Sequence, residues 1–180
     1  IARQDDGSYT GYGVQYLREI AKYTGWNYEY VYDTWPNQLA ALKAGKIDFL
    51  CHAQKTPARE QDYLFGRYSD GSESSLLYVR SGDDRYYYED TAHFDGMTVA
   101  FLADSFQNDV FAAYAAANGF TYTARFFDTD ALAFAALDEG RVDAVAMGSL
   151  AGKSGYKVVS RYSSDPFYFM TSKANAALLA

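Results

Sequence analysis

Two segments of this chain are near copies of each other, AGKIDFL at 44–50 and EGRVDAV at 139–145. In each, a helical stretch stops at a glycine, Gly45 or Gly140, and a short apolar run with one acidic residue follows. That is the signature of a helix handing over to a buried strand. The flanking chain repeats the same grammar. Upstream of the first copy, Val14, Leu17, Ile20 and Ala21 fall on one helical face before Gly25, NYEYVYD at 27–33 alternates as a strand, and Thr34-Trp35-Pro36 opens a helix with Leu39 and Leu42 inward. Upstream of the second come strand MTVAFLA (97–103), a helix over 106–118 ending at Gly119, strand TYTARFF (121–127) and a helix with Leu132, Phe134 and Leu137 inside.

Helices alternating with strands at this spacing predict parallel sheets with right-handed crossovers. Two such units predict an α/β chain of two similar lobes, each a mostly parallel sheet flanked by helices. Further strands are expected at SSLLYVR (74–80), YKVVSRY (156–162) and FYFMTSK (167–173), with the opening residues irregular and 82–95 an acidic, tyrosine-rich loop. The last strand reads as a return to the first lobe. The expected division is therefore lobe 1 over 1–80, lobe 2 over 81–163 and a return segment over 164–180. Two crossing strands between lobes make a hinged clamp.

A net charge of −7 without any Lys/Arg cluster argues against nucleic acid and anionic lipid as partners. No run reaches the length of a membrane span and the start is not a signal peptide, so no insertion by this segment is expected. That leaves a secreted or membrane-tethered protein open. Cys51 is alone, and the two histidines lie far apart, so neither a disulfide within the chain nor a metal site is expected. No nucleophile elbow, phosphate loop or dinucleotide fingerprint occurs, and no cofactor is expected.

The candidate site begins at KIDFLCHAQKTPAR, 46–59. Thr56 is placed to cap a short helix with Pro57 at its first position. Arg59 then stands in the first turn, beside the C-terminal end of a buried strand, the edge where open α/β sheets bind ligands. It is set either to hold a carboxylate with paired hydrogen bonds or to pair with Glu60, Asp62 or a neighbouring loop. Cys51 and His52, adjacent on a strand, face opposite ways and cannot act as nucleophile and base.

GYGVQYLREIAKYTGW, WPNQLAALKAGKIDFL and TPAR, followed by FDGMTVAFLADSFQNDVFAAYA, LDEGRVDAVAMGS and DPFYFMTSKANAALL, resemble the type II periplasmic solute-binding proteins of family 3, the amino-acid type. The resemblance runs over nearly the whole chain. GYKVVSRYSSDPFYFMTSK and SFQND resemble further the extracytoplasmic sensor domains fused to histidine kinases or diguanylate cyclases. It implies a ligand held between the lobes, with hinge closure passed to a cytoplasmic output. Arg59 would hold a ligand carboxylate, donors near Ser105 at a helix N-terminus would assist it, and Cys51, His52 and Gln54 would line the cleft. Tyr9, Tyr12 and Phe106 are candidates for its aromatic walls, whereas Trp35 falls near a lobe surface.

The sequence departs from that pattern. The position of the aspartate that grips a ligand ammonium is Gly148, followed by Ser149, and Asp104 replaces a small residue before Ser105, where it either repels an anion or caps the helix. Cys51, His52 and Gln54 stand where hydroxyl residues are expected, and the family's first strand would precede Ile1. The leading expectation is a non-catalytic sensor domain outside the cytoplasmic membrane. A transport-system binding protein is the alternative. A dehydratase using His52 or Asp104, or a domain reduced to protein contacts, ranks behind both.

Overall fold

The computed structural model describes residues 2–179. Its first elements are a small antiparallel hairpin, β1 (Ala2–Arg3) with β2 (Tyr9–Thr10), where the sequence reads as irregular. There follow α1 (Tyr12–Thr24), α2 (Trp35–Lys43), β3 (Phe49–Gln54), α3 (Pro57–Asp62) and β4 (Tyr63–Phe65). The long strand β5 (Gly71–Arg80) leads into β6 (Met97–Leu102), α4 (Phe106–Asn118), β7 (Tyr122–Phe127), α5 (Asp130–Asp138) and β8 (Ala144–Gly148). The chain returns through β9 (Tyr156–Ser172) and ends in a 3₁₀ segment, Lys173–Leu179.

One sheet ordered β3-β9-β5-β8-β6-β7 runs through the molecule, with β4 also on β9. The second of the two parallel units expected from the sequence forms, and the first does not. Parallel ladders occur in the second lobe, β6 with β7 and with β8. In the first lobe β3 and β4 pair antiparallel to the end of β9. The expected strand at 27–33 has no ladder among the described residues. Its alternation survives in the packing: Tyr28 meets Phe49 edge-on at 6.0 Å and Tyr30 lies 5.1 Å from Tyr9, so the period of two reports half-burial without a pairing partner.

The two strands expected at 156–162 and 167–173 are one continuous strand, because β5 offers a partner from Gly71 (to Phe167) through Arg80 (to Tyr156). Register shifts at Ser75/Leu76 and Leu77/Tyr78 let this ladder bend as it crosses between lobes.

The second lobe packs both faces of its sheet. Leu77, Val79, Val99, Phe101 and Phe111 form one core, and Tyr78, Phe134, Leu137, Val145 and Met147 form the other. Leu132 lies outside, at 51% exposed, because α5 turns Ala133, Phe134 and Leu137 inward. The first lobe buries a smaller cluster: Leu42, Leu50, Ala53, Tyr63 and Met170.

Candidate functional site

Where the lobes meet, the helix opened by Thr56-Pro57 stands as the sequence predicts. Thr56 Oγ1 accepts from the Arg59 backbone N–H at 3.2 Å, which fixes the first turn of α3. The Arg59 guanidinium is then aimed away from its own helix. Glu60 and Asp62 are taken by Lys55 (3.0 Å) and Lys43 (2.8 Å), while Arg59 Nη1 donates to the Gln54 carbonyl at 3.0 Å and Nη2 to the Asp104 carbonyl at 3.1 Å. Arg59 therefore bridges β3 of one lobe and the loop after β6 of the other. Burial pulls its pKa down from its usual value, opposed by Tyr63, Asp104 and Asp109.

Asp104 receives a second donor from the first lobe, Trp35 Nε1 at 3.1 Å, and the guanidinium carbon of Arg59 stands 5.4 Å from the Trp35 ring. Trp35 thus belongs to the interlobe contact and not to a lobe surface. The signal that could have placed it is its position at the start of α2: the βαβ grammar brings helix N-termini to the strand edge where ligands sit. Asp104 can present its carbonyl because its backbone is left-handed, φ 55°, a region that aspartate tolerates better than most residues.

The neighbouring Ser105 occupies the N-cap position of α4 without capping it; its hydroxyl instead donates to Gln107 Oε1. Phe106 lines a cavity of about 330 Å³ with Gln54, Lys55, Glu60, Asp165, Pro166 and Tyr168. Ser149 ties the turn after β8 to β5: its N–H donates to the Ser74 carbonyl at 2.8 Å and its hydroxyl accepts from Ser74 N–H at 3.3 Å.

Glu73, in β5, is a member of this group that the sequence reading missed. Its Oε2 accepts from Gln54 Nε2 at 3.0 Å and its Oε1 from Leu150 N–H at 2.8 Å. The carboxylate lies over Gly148, where an added Cβ would come within 2.1 Å of Oε1. Burial raises the Glu73 pKa, and hydrogen bonds from Leu150, Gln54 and Gln107 oppose that rise. No spacing rule points to Glu73. Its place follows from the long-range register of β5 against β8 and β9.

Cys51 and His52 form a separate group by their contacts. They sit in a bulge of β3 where the pairing with β9 slips between Leu50 and Ala53, with His52 at φ 62°. The His52 ring packs 4.7 Å from Phe167 and 5.5 Å from Tyr12, and burial pushes its pKa down to about 4. Burial pushes the Cys51 thiol up to about 12. The cavity lining thus unites Gln54 with Phe106; the interlobe bridge brings in Arg59, Glu73 and Gly148; Cys51 and His52 stand apart. Among the described residues no group of His, Cys, Asp and Glu is arranged to hold a metal.

The sequence model of the bacterial extracellular solute-binding proteins, family 3, matches residues 1–108, more than half of the chain. The chain belongs to that family. No curated protein matches this family 3 domain in sequence. Among solved structures it resembles holo ArgBP from T. maritima, at 23% identity and a TM-score of 0.82, over 98% of this chain and 79% of that one. A putative L-cystine ABC transporter from Listeria monocytogenes is similar at 24% identity and 0.78, over 98% and 79%. So is an ancestral amino acid-binding protein described as a precursor of cyclohexadienyl dehydratase, at 23% and 0.80, over 98% and 77%. These likenesses show the two-lobed type II periplasmic fold for this family 3 domain. No helix among its described residues is long and apolar enough to cross a membrane.

Proposed function

We propose that this domain is the ligand-sensing part of a bacterial membrane signalling protein, held outside the cytoplasmic membrane and non-catalytic. In it a small carboxylate-bearing molecule enters the cleft and draws the lobes together. The lobes are taken as 1–80 with 164–180, and 81–163. The observation that carries the reading is the position of Arg59. Its guanidinium is held by two backbone carbonyls, one from each lobe, and not by any carboxylate among the described residues. A carboxylate in the cleft would take those donors as a charge-assisted pair, a stronger bond than either carbonyl offers. Lobe closure would then follow from a ligand that binds the closed arrangement better than the open one.

The non-catalytic reading rests on the two nominated acid–base groups. His52 is wedged between rings, and its side chain has no hydrogen-bond partner among the described residues. Asp104 contributes its backbone carbonyl to the interlobe contact. The likeness to sensor domains in SFQND and the 155–173 segment favours signalling. The Listeria neighbour, described as a putative L-cystine ABC transporter, favours transport as the second reading.

Two measurements test these readings. A thermal-shift screen against amino acids, small carboxylates, polyamines and oligopeptides should give a hit, with stabilisation of about 2.7 kcal/mol at a hundredfold the dissociation constant. Arg59→Ala should abolish that hit; an unchanged shift would end the carboxylate reading. The full-length gene separates the two roles. A kinase or cyclase domain beyond a membrane span supports sensing, and a lipoprotein signal with no output domain turns the reading to transport.

A further inference from the structure

The two strands that cross between the lobes bend at two places. In the β5–β9 ladder Leu77 pairs with Ser160 and Tyr78 with Val158, which leaves Val159 over; Ser75 pairs with Ser163 and Leu76 with Arg161, which leaves Tyr162 over. A residue left over in this way bends its strand and has no partner in the ladder. At both places β9 is held by one residue, Glu89, from the acidic, tyrosine-rich loop at 82–95. The Glu89 N–H donates to the Val159 carbonyl at 2.7 Å. Its Oε1 accepts from the Arg161 N–H at 3.0 Å and the Ser160 hydroxyl at 3.1 Å, and its Oε2 accepts from the Tyr114 hydroxyl of α4 at 3.3 Å. Tyr114 in turn stacks on the left-over Tyr162, ring centres 5.3 Å apart. Nearer the start of the strand, Lys157 Nζ donates to the Asp83 carbonyl and stands 5.6 Å from the Tyr87 ring. The loop therefore lies along β9 as a strap. Glu89 reaches these partners with a left-handed backbone, φ 57°, which glutamate seldom adopts. Its side chain is exposed, so apolar burial does not account for that conformation. A strained residue bonded on both sides of a bend marks geometry held at a cost.

We propose that Glu89 is a hinge-positioning residue: its carboxylate fixes the bend of β9 where the strand leaves the second lobe, and through it the angle at which the lobes meet. This rests on the lobe closure proposed above. The carboxylate takes an N–H of the strand and two hydroxyls at once, so β9 cannot straighten there without losing three hydrogen bonds to one charged group. Tyr114 carries the same constraint into α4, the helix that follows Asp104 and its bonds to Arg59 and Trp35. The strap thus acts on the cleft from the outer side of the hinge, without touching what the cleft holds.

The test is small-angle X-ray scattering of the whole chain, with hydrogen exchange read by mass spectrometry. E89G removes the carboxylate and suits a left-handed backbone, so it separates the contact from the strain. It should keep the circular dichroism of the wild type and raise the radius of gyration. Exchange in a peptide spanning 158–163 should quicken by about tenfold or more. E89Q keeps an oxygen for the Arg161 N–H and should restore most of both effects. R59A cuts the bridge at the cleft and serves as the reference for parted lobes. An unchanged radius in folded E89G, with a raised one in R59A, would overturn the role of Glu89 and leave lobe closure standing. Faster exchange without a change of radius would do the same, since it shows a local structural contact alone. An unchanged radius in both variants would overturn lobe closure as well. If E89G does not fold, Y114F and S160A carry the test: a raised radius in either supports the strap, and an unchanged one in both overturns it.

Discussion

Asp70 sits in the turn before β5 at 5% exposure, its carboxylate buried without a cation among the described residues and facing only the backbone N–H groups of Asp70 and His52. Burial raises its pKa from 3.8 to about 6. Between those values the folded chain holds a proton that the unfolded chain has released. Stability therefore falls as pH rises through that window, and the penalty is fully present above it. Asp83 shows the opposite sign. Hydrogen bonds from Arg85 hold its pKa down to about 2, so its contribution is complete above the unfolded value and is lost as pH falls below about 4. Asp70→Asn should raise the melting temperature by roughly 3–6 °C at pH 7.5, for a gain of up to about 2 kcal/mol, and hardly at all at pH 4. Scanning calorimetry at the two pH values checks it; equal shifts at both would show that charge is not the cause.

At the scale of elements, α3 couples a cap to the site. The Thr56 hydroxyl accepts from the N–H of the same residue whose guanidinium joins the lobes. Thr56→Ala should cost about 1 kcal/mol in chemical denaturation. It should also weaken whatever Arg59 holds by more than a distant surface substitution of equal stability cost. This element was readable in the sequence because its cap, its proline and its arginine act within four residues of one another. The return strand and the second parallel unit were readable for a similar reason: both are written in local period and in glycine stops. What was not readable depends on distant chain. Asp104 serves through a carbonyl turned by a left-handed backbone, which no side-chain pattern marks. Glu73 joins the site because register sets it above Gly148. At 27–33 the alternation coincides with half-burial of Tyr28 and Tyr30, yet alternation says nothing of whether a neighbour is there to bond the backbone. Leu132 was misplaced by one step of helical phase, a shift that the packing of Ala133 and Phe134 decides.

Across the whole molecule the two lobes are unequally built. The second buries apolar side chains on both faces of its sheet, and the first holds a small cluster around Leu42, Leu50 and Met170. Local opening follows the number of buried apolar contacts that must be broken. Amides in β6 and β8 should therefore exchange with solvent more slowly than those in β3 and β4, by about tenfold or more. Hydrogen exchange read by mass spectrometry tests this, and uniform protection over both lobes would contradict it. A stable second lobe with a looser first one suits a clamp in which one jaw is the platform and the other adapts.

Trp35 gives that clamp a built-in optical reporter. The chain has two tryptophans. Trp26 is 40% exposed and packs near Tyr28 within the first lobe, so parting the lobes leaves its surroundings alone. The Trp35 indole, by contrast, spends its single N–H on Asp104 across the gap. When the jaws separate, that N–H passes from a carbonyl to water and the emission of this one fluorophore shifts to the red. The lobe closure proposed above would thus be readable in the unlabelled protein, with Trp26 as the steady background.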